Sequence, residues 1–327
     1  MDAVGSDDYN QETQSPMVIA ASVITLFLTL GSIGARTYTK AAVMRQFDLT
    51  DWVLLLAGAL FGAFVSVEIR LWYTPAGSAG DAQLIFNILE IIYSPAIFCA
   101  KYVVLRQIEL IFFNHDRKAL AFTAIRILVW ANLLFYASSF ISFLLACIPR
   151  AKISNPTLPG VCIDPVRSII VAGAINVISD LAILVTPIAV IWRLQIPFKR
   201  KIGAIAVFGV GVLANITGII GLYYSIQLTD IADFASAIIP VASWALGDFT
   251  TVILVACFPY FPRLYQHLSQ KHQKSRYPIP NDVARSPNET RPSRTKPGRW
   301  NNSLTTLEVL EDGEGDAPIV GIRPNSS

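Results

Sequence analysis

Residues 234–262 read FASAIIPVASWALGDFTTVILVACFPYFP, a run of 29 residues whose only formally charged side chain is Asp248, the fifteenth. Residues 168–192 repeat the pattern over 25 positions, with Asp180 the thirteenth and again alone. About 20 residues rising 1.5 Å each cross a hydrocarbon core of about 30 Å, so each run has the length of a membrane span. An aspartate at the centre of such a helix costs roughly 2.5–3.5 kcal/mol on insertion scales. Two such costs demand compensation from inside a bundle, which makes Asp180 and Asp248 the leading pointers to function.

Five further apolar stretches surround these two. The spans fall at roughly 17–35, 52–69, 84–107, 127–147, 168–192, 202–225 and 237–261. A chain that is 53% hydrophobic and only 15% charged fits neither an ordinary soluble domain nor a disordered one. The expected fold is all-α, a seven-helix transmembrane bundle with short connections. Residues 1–16 form a short acidic amino terminus, 17–264 the membrane domain and 265–327 a polar tail with seven prolines. The tail cannot bury enough apolar surface to fold alone. Its start, from Arg263 to His272, reads either as part of that disordered tail or as a short basic amphipathic helix at the membrane surface. Asn288, Asn301 and Asn325 sit in sequons of that tail and are expected to stay unglycosylated. With no basic n-region or cleavage motif before it, the first span is expected to act as an uncleaved anchor.

Basic residues orient the bundle. The connections after spans 1, 3 and 5 carry Arg36, Lys40, Arg45, Arg117, Lys118, Arg126, Arg193, Lys199, Arg200 and Lys201. Those after spans 2, 4 and 6 carry only Arg70, Arg150, Lys152 and Arg167. Ten against four places the amino terminus outside and the carboxyl terminus in the cytoplasm.

Several polar residues share helical faces. Asn87, Glu90, Ser94 and Lys101 lie at offsets 0, 3, 7 and 14 in span 3, with Lys101 near the inner boundary where a lysine can snorkel. Asn176 and Asp180 are one turn apart in span 5. Pro240, Trp244, Asp248 and Thr251 share a face in span 7. Asn132, Tyr136, Ser139 and Asn215 add polar groups in spans 4 and 6. Two readings stand open: interhelical hydrogen bonds that hold the bundle together, or a ligand or proton site built on the carboxylates. The ligand-binding candidates are Glu90, Asn176, Asp180, Trp244 and Asp248, and in an enzyme Asp180 and Asp248 would be the acids. Cys147 and Cys162 flank the connection after span 4 and are candidates for a disulfide on the oxidising side. Span 7 contains no lysine for a retinal Schiff base, so no cofactor is expected. All three histidines (His115, His267, His272) lie outside the spans, and no metal centre is expected. There is no P-loop, no serine elbow and no nucleic-acid signature. Asp116-Arg117 is the acid-arginine pair at the end of span 3.

An ordered set of motifs resembles the fungal rhodopsin-domain integral membrane proteins, related to the Pth-type receptor-like proteins. It comprises Thr50-Asp51-Trp52, Lys101, Cys147-Ile-Pro149, Gly160-Val-Cys162, Asn176-Val-Ile-Ser-Asp180 with Pro187, and Trp192-Arg-Leu-Gln. Lys201, Phe208-Gly-Val-Gly211, Trp244-Ala-Leu-Gly-Asp248 and Cys257-Phe-Pro259 complete it, over roughly residues 17–268. The resemblance implies a seven-helix, G-protein-coupled-receptor-like membrane protein of a fungus, and some members of the family belong to secondary-metabolite gene clusters. This chain departs from the pattern at several positions. Thr50 stands beside Asp51 where the family pairs acids, Lys101 is followed by Tyr-Val rather than Leu-Ser, and Leu110 and Gly221 replace arginines. Asp248 replaces a glutamate. Without an arginine at 221, Asp248 or Glu90 is expected to lack a basic partner.

Three functional classes follow. The first is a receptor-like sensor of a small or apolar ligand, signalling to a cytoplasmic protein. The second is a membrane-embedded accessory protein or enzyme of a biosynthetic cluster, and the third is a transporter. All three place the chain in a lipid bilayer, plasma membrane or endomembrane.

Overall fold

The computed structural model describes residues 4–73, 79–112, 120–155, 157–193, 198–228 and 234–276. The seven expected spans are all present as helices: α1 Val4–Tyr38, α2 Leu49–Trp72, α3 Ala79–Phe112, α4 Leu120–Leu144, α5 Pro165–Arg193, α6 Phe198–Gln227 and α7 Phe234–Cys257. An eighth, α8, runs from Phe261 to Arg276, so the start of the tail is helical. Residues 277–327, with the three sequons, and the Asp116-Arg117 pair lie outside the described residues.

These helices are apolar over lengths that can cross a bilayer, and only closed backbone hydrogen bonding is tolerated there. Their hydrophobic residues point outward as well as inward. Ile24, Phe27, Trp130, Leu134, Ile178 and Ile219 are all exposed, as a lipid-facing surface requires. Neighbours in sequence pack side by side, and α7 returns to pack against α1. In α3 and α7 half of the span residues are buried, against 17% in α4 and α6, so α3 and α7 form the centre of the bundle. Their polar side chains therefore face protein, and theirs are the polar groups that meet.

Two short segments shape the ends. At one, the π-helical turn Thr39–Met44 follows α1 and closes on Arg45 in the left-handed region at φ 52°. Asp48 N–H then donates to Asp51 Oδ2 at 2.9 Å, the return half of a capping box that starts α2. At the other, β1 (Cys147–Ile148) pairs antiparallel with β2 (Val161–Cys162), and the expected Cys147–Cys162 disulfide is formed across that pair. It closes a loop with a separation of 15 residues. Opening a loop of that length is worth about 3 kcal/mol in the chain-entropy model. Reduction, or Cys162→Ser, should therefore lower the thermal unfolding midpoint of purified protein; an unchanged midpoint would show the bridge to be thermodynamically idle.

Candidate functional site

The two mid-span aspartates converge. Asn176 and Asp180 rise from α5, Asp248 from α7, Lys101 and Tyr93 from α3 and Tyr136 from α4. Lys101 Nζ lies 2.9 Å from Asp180 Oδ1 and donates to Asn176 Oδ1 at 2.8 Å and to its backbone carbonyl at 3.2 Å. Asn176 Nδ2 donates to Asp180 Oδ2 at 3.2 Å and to Asp248 Oδ2 at 2.9 Å. Tyr136 Oη donates to Asn176 Oδ1 at 2.7 Å, and Tyr93 Oη donates to Asp248 Oδ2 at 2.9 Å. The side-chain amide of Asn176 thus joins both carboxylates, the ammonium and a tyrosine. It can do so because an amide donates twice and accepts twice.

Several expectations are corrected here. Lys101 does not snorkel: its side chain has no exposure at all, and its ammonium is turned to Asp180 inside the bundle. Desolvation of a buried charge is compensated only by a close counter-charge and saturated hydrogen bonds, and Asp180 with Asn176 supplies both. Asp248 has no basic side chain bonded to it but is not without partners, since Tyr93 and Asn176 replace the arginine. The reason is visible at position 221. A Cβ on Gly221 would meet Trp244 Cβ at 3.4 Å, and one on Gly218 would lie 3.8 Å from Asp248 Oδ1. Position 221 thus faces Trp244 of α7 at an ordinary van der Waals distance, and a side chain longer than a methyl would enter that contact. Asp248 Oδ1 itself is buried with no partner among the described residues.

The other candidates separate from this centre. Trp244 stacks on Tyr224 of α6, with ring centroids 6.4 Å apart. Glu90 is half-buried and makes no side-chain hydrogen bond among the described residues. Ser94 Oγ donates to Glu90 O and touches Ser139 of α4, while Ser179 Oγ donates to Asn132 Oδ1 at 2.6 Å. These are interhelical struts. Among the described residues Asn215 bonds only its own helix, at Gly211 O. Among the described residues no group of His, Cys, Asp and Glu could hold a metal ion.

A second buried centre was not anticipated. Arg36 and Lys40 belong to the end of α1 and its π-helical turn rather than to a loop, and they are 1% and 4% exposed. Arg36 Nη1 donates to Gln107 Oε1 of α3 at 2.9 Å and to Ala256 O of α7 at 2.6 Å, and Nη2 reaches Asp51 Oδ1 at 3.4 Å. Lys40 Nζ donates to Asp51 Oδ2 at 2.8 Å. Tyr260 lies beneath both cations, 4.6 Å from the Arg36 guanidinium and 5.7 Å from Lys40 Nζ. α3 and α7 therefore contribute to both centres, through Lys101 and Gln107 and through Asp248 and the Ala256 carbonyl. Asp51 was visible in sequence as a motif residue, but nothing there marked its partners. Tyr93 was missed because a tyrosine in a span reads as packing, and Glu68 because it lies at the end of span 2.

A cavity of about 160 Å³ opens at the disulfide end, lined by Phe86, Asn87, Phe143, Lys152, Ile153 and Ile163 among others. Asn87 Nδ2 donates to Phe143 O at 3.0 Å, and Arg150 reaches Asn87 Oδ1 at 3.4 Å. No carboxylate lines it among the described residues.

Known proteins give this geometry a context. A SAT4 family membrane protein of Emericella nidulans is 35% identical over 185 residues, 57% of this chain and 46% of that protein. The "Fugralins biosynthesis cluster protein 2" of Gibberella zeae is 29% identical over 119 residues, 36% of this chain and 30% of that protein. The chain thus matches less than half the length of either relative. No solved structure matches it. The fungal rhodopsin domain model matches residues 35–267, from the Arg36 centre into α8, and the chain belongs to that family of multi-pass integral membrane proteins.

Proposed function

We propose that the protein is a receptor-like sensor of a small apolar ligand, with its amino terminus outside and its α8 end in the cytoplasm. The observation that carries this reading is the sharing of α3 and α7 between two buried polar centres. A helix that holds Asp248 in one and presents the Ala256 carbonyl to Arg36 in the other cannot shift at one end without disturbing the other. The cavity at the disulfide end is of a size that holds a benzene-sized molecule. Its Asn87 lies on the same face of α3 as Ser94 and Lys101. Orientation rests on the charge asymmetry, and it survives the correction at Arg36 and Lys40. Removing those two from the ten leaves eight against four.

Acid catalysis fits less well. Both oxygens of Asp180 are engaged, the unpartnered Oδ1 of Asp248 is buried, and the cavity presents no acid to a bound molecule among the described residues. A second reading is nonetheless favoured by the likeness to a biosynthesis cluster protein of Gibberella zeae: an accessory protein or enzyme of a biosynthetic cluster. Deletion and complementation separate the two. In a sensor, deletion removes a cAMP or nutrient response, the wild-type gene restores it, and Asp248→Asn at equal abundance does not. That substitution preserves the fold because both donors meet Oδ2, which the amide oxygen replaces. Intact responses in the deletion strain would remove the sensor reading. A missing metabolite, with the intermediate accumulating, would establish the second.

A further inference from the structure

The cavity at the disulfide end is apolar on one side and rich in hydrogen-bond donors on the other. Phe86 of α3, Phe143 of α4 and Ile153, from the segment between β1 and β2, are buried and supply the apolar wall. That segment is held in place. The Cys147–Cys162 bridge closes it, a Cβ on Gly80 at the start of α3 would overlap Ser154 O, and one on Gly160 would overlap Ile148 O. A wall fixed in this way is in position before a ligand arrives, which lowers the ordering cost of binding.

Lys152 is the one charged residue on the lining among the described residues. Its ammonium has three protons to give, and one goes to Gly160 O at 2.6 Å. Gln83 of α3 also lines the cavity and makes no side-chain hydrogen bond among the described residues, so both its amide protons are free. The lining hydroxyls of Ser142 and Ser168 spend their protons on Ser138 O and Asp164 O of their own chain segments. Arg150, 3.4 Å from Asn87 Oδ1, brings a second cation to the rim. Neither Arg150 nor Lys152 pairs with an acid among the described residues. Asp164 pairs with Arg167, and Asp81, exposed in the first turn of α3, is off the lining.

An ammonium covered by a neutral molecule loses water without gaining a counter-charge, and a cationic molecule would add repulsion. A carboxylate in the same place accepts the spare protons of Lys152 and Gln83 and has none of its own to lodge. One lining cation matches one negative charge, and about 160 Å³ limits the apolar body to about a benzene ring. We infer that the cavity binds a small organic acid, a benzene-sized apolar body bearing one carboxylate. The body lies among Phe86, Phe143 and Ile153, and the carboxylate meets Lys152 and Gln83. This deepens the sensor reading, on which it rests for taking the cavity as the ligand's place, by naming the class of ligand.

The test uses the full chain in nanodiscs of neutral lipid, with thermal unfolding followed as sodium benzoate replaces sodium chloride at constant ionic strength. The midpoint should rise and saturate with benzoate. Benzamide, the same shape without the charge, should need at least about tenfold more, and acetate, the charge without the ring, should leave the midpoint unchanged. Lys152→Gln should raise the half-saturating benzoate concentration about tenfold, and Lys152→Arg should restore most of the loss. Gln83→Leu, which breaks no hydrogen bond of the fold, should raise it about threefold and carries the test if Lys152→Gln does not fold. Equal responses to benzoate and benzamide would overturn the acid class. A benzoate response undiminished in both variants would overturn the assignment of the residues, and no response to benzoate would overturn the site. The sensor reading fails separately. Saturable benzoate binding, with cAMP and nutrient responses intact in the deletion strain, would keep the site and remove the sensor. An unresponsive midpoint, with those responses lost in the deletion strain, would do the reverse.

Discussion

Lys101→Met should destabilise the protein by about 3–5 kcal/mol, the cost of leaving a buried charge without its partner. The side chains of Lys101 and Asp180 are 0% and 5% exposed, so water cannot take the place of the missing ammonium. The loss is larger than the lysine's own contacts suggest because Asn176 Oδ1 and its carbonyl also lose a donor. The double variant Lys101→Met/Asp180→Asn should recover most of it, since a neutral amide at 180 needs no counter-charge. Unfolding midpoints of the three proteins in one detergent decide the matter. A loss under about 1 kcal/mol would mean that Lys101 reaches solvent and behaves as an exposed ion pair.

Asp51→Ala is the second large effect, and it acts at the other centre. One carboxylate serves two buried cations there, Oδ1 facing Arg36 and Oδ2 facing Lys40, while Oδ2 also accepts the Asp48 N–H that starts α2. Its removal leaves two positive charges with only neutral partners in the interior, apart from the half-exposed Asp48 at 3.1 Å from Lys40. A loss of at least about 3–5 kcal/mol is expected, visible as a fall in monodisperse protein. Asp51→Asn should be milder, because its carbonyl oxygen can keep one acceptor role. Equal stability of Asp51→Ala and wild type would show that Tyr260 and Gln107 suffice for the two cations.

The two centres differ in how far they can be read from sequence. Asp180 and Asp248 stand out because each is a lone charge in a run that must be apolar, and Asn176 follows from its position one turn before Asp180. Helical periodicity placed Lys101 on the same face of α3 as Asn87 and Ser94, yet could not say how deep that face lies. Depth depends on which helices are central, and only packing shows that α3 is enclosed by α2, α4 and α7. Arg36 and Lys40 were misread for a related reason. A basic residue just past an apolar run looks like part of a loop, but α1 extends to Tyr38 and holds Arg36, and the π-helical turn after it carries Lys40 inward beside it. Their partner Asp51 begins the next helix, and a pairing through a turn leaves no periodic trace. The disulfide was readable because two cysteines bracketed one connection. The contact of Glu68 with Ser22 of α1 and Ser243 of α7 was not, since it joins three helices and each serine also bonds a carbonyl of its own helix.

A sensor of this design requires coupling between the Asp248 centre and the Arg36 centre, and Cys257 reports it from within. That cysteine has no exposure and follows Ala256, whose carbonyl accepts from Arg36. The decisive measurement is the rate at which N-ethylmaleimide labels Cys257 in a Cys99→Ala background, with and without Asn176→Leu. Asn176 is remote from Arg36, sharing no bond with it, but it ties Asp248 to Asp180 and Lys101. If the centres are coupled, Asn176→Leu should speed labelling about tenfold or more, as a loss of local protection of about 1.4 kcal/mol requires. Labelling as slow as in the Asn176-containing protein, with the unfolding midpoint lowered, would show that the central network holds the bundle together but transmits nothing.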